Sequence, residues 1–572
     1  MNVDIQERLI SEILRTALVW SDNSGKSGIL DPEYGRTKNA NPRYQEVCLT
    51  LALAVKLRIG LPDDVMDVEL ETAAVKSING WLALQHRSGG IRIKHRGSPD
   101  PQATAFGAYA IVRSLILLGD LVPSATRNNA EKALKRTARF LTHHNFRGGL
   151  EALPIRFAAL KSIAVWFEDN NMRIAAEKIH QEGIHILEQA LEGNGNSEVD
   201  ASALSISLAY LTLMVNEPSQ RELALWEKIC KRCLLSTAEN GIFGGGAETS
   251  IASLPITTGF ELLAGRIPEA AEIVRRLEKG WKMGFYSGML DAEVPWLIPV
   301  SYLIGFGLAE RRSRKGLKFD AMQPNAGTGL YGEGLIDIGE WKLRLGRGGT
   351  IGWIHHKPSD SIRIFGSPAG LALREGPWLT RDNLLYHASL AGAFPGKTED
   401  PWCIEGNIYP VKVPGTERPP GRVGFPKPRG KEKSREIRLV PYSETPEVQR
   451  APGISYKREI MTKSGALTIE TQVEGNVVFR IPVVWLGGKF GKMKLGKLDF
   501  PPELSFQKRG VREITLEGGP WPGWTIRFDK PVDLVYDAIL GPVTAHPMRF
   551  LSVAAGTIDV IAQNRLHMAI RV

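Results

Sequence analysis

The segment AFGAYAIVRSLILLG, residues 105–119, decides the fold class. Its apolar residues recur at the i, i+3, i+4 and i+7 spacing of an α-helix. They occupy almost every side of that helix, and Arg113 is the one charged residue. Because a helix that is apolar all round must be buried, this segment predicts a large helical core. Similar segments are VCLTLALAVKLRIG (47–60), IRFAALKSIAVWF (155–167), ALSISLAYLTLMV (203–215) and VPWLIPVSYLIGFGLAE (294–310).

These apolar helices repeat along the N-terminal half of the chain, and each follows a polar or Gly-rich loop. The loops open onto helices near Pro42, Pro101, Glu151, Asp200, Glu248 and Glu293. The repeat of about 45 to 60 residues leaves room for two helices. More charged helices lie between the apolar ones, such as RNNAEKALKRTARFLTHH (127–144). The alternation predicts an inner buried layer and an outer amphipathic layer, so residues 1–316 should form an α/α toroid of six helix pairs. An open solenoid of helix pairs is the alternative.

The sequence changes character after residue 316. Short β-branched or aromatic runs alternate with period two between Gly and Pro turns, as in WKLRLG (341–346), SIRIFG (361–366) and WTIRF (524–528). Since no helix separates these runs, residues 317–572 are predicted to form an antiparallel β-sandwich. A Pro-rich basic stretch at about 411–453 is expected to be a loop within this domain.

Composition and charge limit the classes of partner. Lys and Arg total 72 against 62 Asp and Glu, a formal net charge of +10. Such a positive field attracts polyanions, either nucleic acid or anionic glycans, although a merely basic surface would look the same. The N-terminus has no signal-peptide pattern and no apolar run has the length of a bilayer span, so we expect a cytoplasmic protein without a membrane partner. The Cys230–Cys233 pair lies on an amphipathic helix without a second ligand pair, which favours ordinary thiols over a metal site.

The loops that precede the inner helices should all face one end of a toroid. They carry aromatic and polar side chains suited to stacking on sugar rings and bonding their hydroxyls, namely Tyr34, His95, His144, Arg147, Phe243, Tyr286 and Trp296. The Gly and Asn residues of the same loops are explained by turns and caps. Acidic residues recur at similar positions, namely Glu151, Asp200, Glu248 and Glu293. They are interpreted as helix caps, or as the carboxylate pair of a glycosidase.

The β half adds one further cluster. Tyr386 and His387 lie in RDNLLYHASLAGAF, and His355 and His356 follow a strand. His355 and His387 could share a metal, but no third ligand is evident, so no metal is predicted. The chain contains no Walker loop, no G-x-S-x-G and no H-E-x-x-H.

A helical toroid followed by a β-sandwich resembles the heparinase II/III-like and alginate or chondroitin lyase superfamily. The segment YKREIMTKSGALTIETQVEG (456–475) also resembles that superfamily's sandwich. The resemblance implies that an Asn or His neutralises the uronate carboxylate while a Tyr or His transfers the C5 proton. The matching residues are His144 or Asn145 with Arg147, or Asn240 with Tyr286, assisted by Tyr386 and His387. The superfamily's Asn-His order is reversed at His144–Asn145.

The resulting expectation is a polysaccharide lyase that cleaves uronate-containing glycans by β-elimination without a cofactor. Its partner would be an acidic oligo- or polysaccharide rather than nucleic acid. A glycoside hydrolase that uses two of the four acidic loop residues is the alternative enzyme. A non-enzymatic binder of polyanionic glycans is the third possibility.

Overall fold

The computed structural model divides the chain into two compact units. The first comprises Met1–Glu192, Ser202–Lys231 and Pro255–Met322, and the second Gly193–Ala201, Arg232–Leu254 and Gln323–Val572. The residues that the structure describes are 5–32, 40–92, 98–144, 150–192, 201–239, 241, 243, 256–282, 297–314, 327–328, 334–345, 351–358, and from 361 onward those of the strands given below.

Twelve α-helices occur in this described part of the chain. They are α1 (Ile5–Asn23), α2 (Val47–Leu57), α3 (Asp67–Leu84), α4 (Pro101–Leu118), α5 (Ser124–His143), α6 (Ala152–Phe167), α7 (Asn170–Leu191), α8 (Ala201–Met214), α9 (Gln220–Leu235), α10 (Thr258–Leu263), α11 (Pro268–Lys282) and α12 (Ser301–Ser313). The even-numbered helices contain the apolar segments, and the odd-numbered helices are the more charged ones. The predicted alternation of inner and outer helices is therefore observed.

Burial separates the two layers. In α4 and α6 nearly every turn is buried on all sides, including Ser114 and Ser162. In α5 burial follows one stripe, Ala130, Leu134 and Leu141, while the opposite face carries charge. A polar hydroxyl is tolerated inside the inner helices because it bonds locally: Ser114 Oγ donates to the Ala110 carbonyl at 2.7 Å.

The first four inner helices contact one another in chain order. Ser114 of α4 donates to Cys48 Sγ of α2 at 3.2 Å. Gln102 of α4 donates to Glu151, the N-cap of α6, at 2.8 Å. Ser162 of α6 then approaches Met214 Sδ of α8 at 3.7 Å.

The remaining contacts close the ring. Gly259 of α10 packs so closely on α8 that a Cβ there would lie 2.8 Å from Leu208 Cγ. Thr258 of α10 donates to the Leu303 carbonyl of α12. Ser301 of α12 bonds Thr50 of α2 at 2.5 Å. Within the described residues of the first unit, the six inner helices thus form a closed ring, and an open solenoid is excluded.

Ion pairs hold the seam where the last inner helix meets the start of the chain. Arg311 donates to Glu261 of α10 at 2.9 Å and to Gln6 of α1 at 2.7 Å. Arg312 donates to Glu7 of α1 at 2.7 Å. Glu261 is fully buried and also pairs with Arg314. The seam therefore ties α12 to both α1 and α10.

One inner helix meets the length and composition of a bilayer span. The segment Pro101–Leu121 passes that test, and 67% of it is buried inside the protein. The expectation that no apolar run has this length was therefore wrong for α4. A mostly buried core helix satisfies the same criterion.

The described strands of the C-terminal half all pair antiparallel. They are β1 (Gly327–Thr328), β2 (Gly334–Ile338), β3 (Trp341–Leu345), β4 (Ile351–His356), β5 (Ser361–Ile364), β6 (Trp378–Leu379), β7 (Leu385–Tyr386), β8 (Phe394–Lys397), β9 (Trp402–Ile408), β10 (Pro410–Lys412), β11 (Glu447–Val448), β12 (Ile454–Lys463), β13 (Ala466–Val473), β14 (Val478–Val483), β15 (Met493–Leu495), β16 (Leu498–Phe500), β17 (Phe506–Leu516), β18 (Gly523–Ile539), β19 (Met548–Ala554) and β20 (Asn564–Arg571). Strands β1–β5 form one sheet, β6, β7, β10 and β11 a second, and the others a third. The antiparallel class is confirmed.

Two details bear on the predicted boundaries. The last described helix ends at Ser313 and the first strand begins at Gly327, and the domain limit at residue 316 stays a prediction. Strand β10 pairs with β11, so both ends of the predicted loop at 411–453 belong to strands and the loop is shorter than predicted. Residues 413–446, the centre of that loop, lie outside the described residues. The hairpin β12–β13 confirms the strand–turn–strand pattern of 456–475, with Lys463 opposite Ala466.

Candidate functional site

The two ends of the helix ring differ. Short turns join inner to outer helices at one end, as at Gly119–Pro123 between α4 and α5 and at Glu168–Asp169 between α6 and α7. At the other end, which we call the mouth, longer connections lead into the inner helices. The mouth therefore gathers the start of every inner helix, as the sequence predicted.

Most of the predicted site residues lie outside the described residues. They are Tyr34, His95, Asn145, Arg147, Asp200, Asn240, Glu248, Tyr286, Glu293, Trp296 and His387. The backbone of Tyr386 belongs to β7, where it pairs with Trp378 and Pro410. The roles proposed for these residues stay predictions.

His144 lies at the C-cap of α5. Its ring lies against that of Phe140, tilted by 30° with 3.9 Å between centroids, and Nδ1 lies 3.1 Å from the Phe140 carbonyl. Because a carbonyl accepts, Nδ1 carries a proton in this contact. His144 is exposed, so the structure is compatible with a role at the mouth but brings no described residue to its Nε2.

Phe243 requires a correction. The sequence placed it among residues that stack on sugar, but its side chain is fully buried, and its backbone bridges to Thr237. A buried ring offers no face to a sugar, so Phe243 is removed from the candidate site. A Gly-rich loop does not reveal which of its aromatic residues turns inward.

Glu151 shows a use other than capping. It occupies the N-cap of α6 but makes no side-chain cap hydrogen bond. Its Oε1 accepts from Gln102 Nε2 at 2.8 Å, while its buried Oε2 has no hydrogen-bond partner among the described residues. A buried carboxylate oxygen without a hydrogen-bond partner is rare in folded proteins. The interpretation of Glu151 as a mere helix cap is therefore not supported.

Arg43 is a mouth residue that the sequence reasoning missed. It belongs to the 3-10 turn Pro42–Glu46 that leads into α2. Its guanidinium donates to Glu46 at 2.7 and 3.1 Å and lies 3.8 Å above the centre of the Phe106 ring. Arg43 occurs in the same predicted loop as Tyr34, but no pattern in the sequence indicates that Phe106 and Glu46 contact it.

Three buried tyrosines lie below this cation, inside the ring. Tyr210 and Tyr302 share a hydrogen bond of 2.5 Å between their hydroxyl groups, and Tyr109 packs edge-on against Tyr210 at 5.3 Å. Burial raises the pKa of Tyr109 to about 12 and raises the pKa values of Tyr210 and Tyr302 well above the ordinary value. These hydroxyls stay protonated at neutral pH, so none of the three is suited to remove a proton from carbon.

Burial also raises the pKa of Glu46 to about 7, against the lowering effect of Arg43. The folded protein therefore binds this proton more tightly than the unfolded chain, whose carboxyl has a pKa near 4.5. The stabilisation from this proton is fully present below that lower value and is lost as pH rises through about 7.

We expect this proton to contribute about 3 kcal/mol to the pH dependence of the free energy of unfolding. Glu46→Gln should remove this component, because the amide does not titrate. Urea unfolding of both proteins at several pH values between acid and mildly alkaline conditions measures the difference. Parallel pH profiles for the two proteins would contradict the assignment.

The described residues show no metal cluster and no disulfide. No group of three or more His, Cys, Asp or Glu among them could hold a metal ion. The four cysteines form no disulfide, and burial raises the pKa of Cys230 well above its ordinary value. In the second unit His355 and His356 are buried, and His356 packs on Trp341 with 4.6 Å between ring centroids. These histidines are consistent with a structural role.

Comparisons with known proteins bear on the fold. No protein-family model matches the sequence, and no curated protein matches it. The structure is similar to the chondroitin AC lyase of Streptomyces coelicolor A3 in complex with chondroitin sulphate, with a TM-score of 0.51 and 9% identity over 99% of this chain and 79% of that chain. The two chains share a fold. The predicted resemblance to the lyase superfamily is thereby confirmed at the level of architecture, and at this identity the likeness shows the fold alone.

Two other solved structures are more distant. A heparan sulfate lyase HepC mutant from Pedobacter heparinus gives a TM-score of 0.37 at 11% identity, covering 100% of this chain and 83% of that chain. The endoglucanase CelQ from Clostridium thermocellum complexed with cellotriose gives 0.26 at 10% identity, covering 98% and 92%. At these scores neither likeness carries an argument about this chain.

Proposed function

We propose that this chain is a polysaccharide lyase that cleaves uronate-containing glycans by β-elimination. The observation that carries the proposal is the mouth of the helix ring, where one inner helix begins at a fixed cation, Arg43, and the next two begin at the hydrogen-bonded pair Gln102 and Glu151. These groups can bind a sugar acid and its hydroxyls. The shared fold with a lyase bound to chondroitin sulphate supports the same conclusion. The net charge of +10 would attract an acidic polymer to this surface.

The reaction requires three events at the uronate. One neutralises the carboxylate, which acidifies the C5–H bond; a second removes that proton; and a proton reaches the leaving oxygen as the C4–O bond breaks and a C4–C5 double bond forms. We assign proton transfer to Tyr286 with Asn240 as the neutralising group, and His144 or Asn145 with Arg147 as the alternative set. Tyr386 and His387 would assist from the β half. We also propose that the antiparallel sheets stack as a β-sandwich.

A glycoside hydrolase is the second candidate, and one observation favours it. Glu151 holds a buried carboxylate oxygen that no described residue uses. Hydrolysis of a glycosidic bond needs two carboxyl groups across the substrate. Asp200, Glu248 or Glu293 would have to supply the other.

Product analysis separates these functions. Incubation of the protein with a panel of acidic polysaccharides is expected to release oligosaccharides with an ultraviolet-absorbing C4–C5 double bond. New reducing ends without that absorbance would identify a hydrolase instead. Binding that weakens steeply with salt, with no new chain ends on any polymer, would identify a non-enzymatic binder and overturn both enzymatic proposals.

A further inference from the structure

The guanidinium of Arg43 contacts Glu46, Phe106 and Pro299, and its Nη1 is left without a described hydrogen-bond partner. Glu46 occupies the edge formed by Nε and Nη2, at 2.7 and 3.1 Å, and Phe106 lies under its face. The Pro299 carbonyl lies 3.4 Å from Nη2. Nη1 bonds no described residue, and 27% of the side chain is exposed. Nη1, the free edge of the guanidinium, is therefore left for a ligand.

The turn that carries Arg43 is itself fixed. Asn41 Oδ1 accepts from the Arg43 backbone N–H at 3.1 Å, and Asp31 accepts from the Asn41 backbone N–H at 2.6 Å. The buried Gln45 amide bonds both the N–H and the carbonyl of Leu30, each at 3.1 Å. Because these bonds set the position of the guanidinium before any ligand arrives, little entropy is lost when an anion binds it.

The neighbouring helix places two further polar groups beside this cation. Phe106, which supports the guanidinium, is one turn from Gln102 on α4, so the two side chains share a helix face. Gln102 in turn donates to Glu151, whose second oxygen is buried and has no hydrogen-bond partner among the described residues. A cation for a carboxylate and an amide for a hydroxyl are thus carried at the starts of two neighbouring inner helices.

We propose that the free edge of Arg43 binds the carboxylate of the substrate's uronate residue and sets the preference for acidic over neutral sugars. The proposal rests on the proposed function and deepens it. A carboxylate that accepts from the remaining Nη1 forms a hydrogen bond in which both partners are charged, whereas a neutral sugar forms a weaker one. The Gln102 amide can bind a hydroxyl on either kind of sugar, so it contributes affinity without discrimination.

The test compares acidic tetrasaccharides with their carboxyl-reduced counterparts. Calorimetry is carried out with tetrasaccharides of unsulfated chondroitin and of alginate, each in both forms. The wild-type protein should bind at least one acid form about tenfold to a hundredfold more tightly than its reduced counterpart, the range expected for a charged hydrogen bond. Arg43→Gln should abolish this ratio and leave binding of the reduced form unchanged. A wild-type protein that prefers neither acid form overturns the proposal.

Three further variants separate recognition from stability. Glu46→Gln keeps the guanidinium and removes a competing anion, so the preference for the acid form should rise. The double variant Arg43→Gln with Glu46→Gln leaves no buried charge unpaired, so it tests the loss of preference if Arg43→Gln alone does not fold. Arg221→Gln on the outer helix α9, where the arginine pairs with Glu188 and is 53% exposed, should change nothing. An acid preference that survives in the folded double variant overturns the assignment.

The Arg43 proposal and the lyase proposal can fail separately. If double bonds form but the KM of Arg43→Gln on the acid polymer equals that of the wild type, the Arg43 proposal is wrong and the lyase proposal stands. If no double bond forms but the acid preference depends on Arg43, the lyase proposal is wrong and the site stands.

Discussion

Replacement of Tyr286 by phenylalanine is expected to lower turnover about a hundredfold to ten-thousandfold, the usual loss when general acid–base catalysis is removed. The change deletes one hydroxyl and keeps the ring, so stacking on a sugar and substrate affinity should alter little. The expectation follows from the assignment of Tyr286 as the proton-transfer group. Turnover and binding on one acidic polysaccharide measure the two effects separately.

Glu248→Gln provides the matched comparison. A lyase does not need a carboxylate pair, so this variant should be much milder than Tyr286→Phe. A glycosidase predicts the opposite order, with Glu248→Gln severe and Tyr286→Phe mild. Near-normal turnover in both variants would remove both assignments, and the active groups would then be sought at His144 or at Tyr386 and His387.

The second large effect concerns stability at the seam of the ring. Glu261→Ala is expected to lower the free energy of unfolding by about 3 kcal/mol, since removal of one partner leaves buried charge uncompensated. The Glu261 carboxylate is fully buried between Arg311 and Arg314, whose side chains are only 20% and 13% exposed. Glu278, 3.8 Å from Arg311, offsets part of the loss and keeps the expected value at the lower end of the usual range.

Asp64→Asn is the control for this prediction. Asp64 also pairs with an arginine, Arg15, at 2.7 Å, but its side chain is 69% exposed. Water and salt screen such a pair, so no measurable change is expected. Urea unfolding of the three proteins at one pH gives the comparison. Equal stability of Glu261→Ala and Asp64→Asn would show that the seam does not depend on the buried carboxylate.

The sequence predicted the helix ring because its signal is local. The composition of segments such as 105–119 indicates that they are buried. The spacing of Ala130, Leu134 and Leu141 indicates which face of α5 is buried. The antiparallel strands of the C-terminal half were also predicted from local patterns, and the hairpin at 456–475 was confirmed. These features depend on neighbours within a few residues along the chain.

The candidate site could be predicted only in part because its contacts are not local. Arg43 depends on Phe106 from α4 and on Pro299, which lies 256 positions away. Tyr210 and Tyr302 form a hydrogen bond although they are 92 positions apart in the chain, and neither segment contains a pattern that predicts this contact. Phe243 was misassigned for the same reason, since its burial is decided by residues that its own loop does not contain.

The seam has a consequence for how the protein is made. Arg311 bonds Gln6 and Arg312 bonds Glu7, and the two residues of each pair are 305 positions apart in the chain. At ordinary translation speeds the ribosome needs roughly a quarter of a minute to a minute to synthesise the intervening chain. Throughout that time α1 and the apolar face of α2 have emerged without the helix that completes their burial. The nascent chain is therefore exposed to aggregation until α12 leaves the exit tunnel, and a chaperone that shields apolar helices should raise its yield.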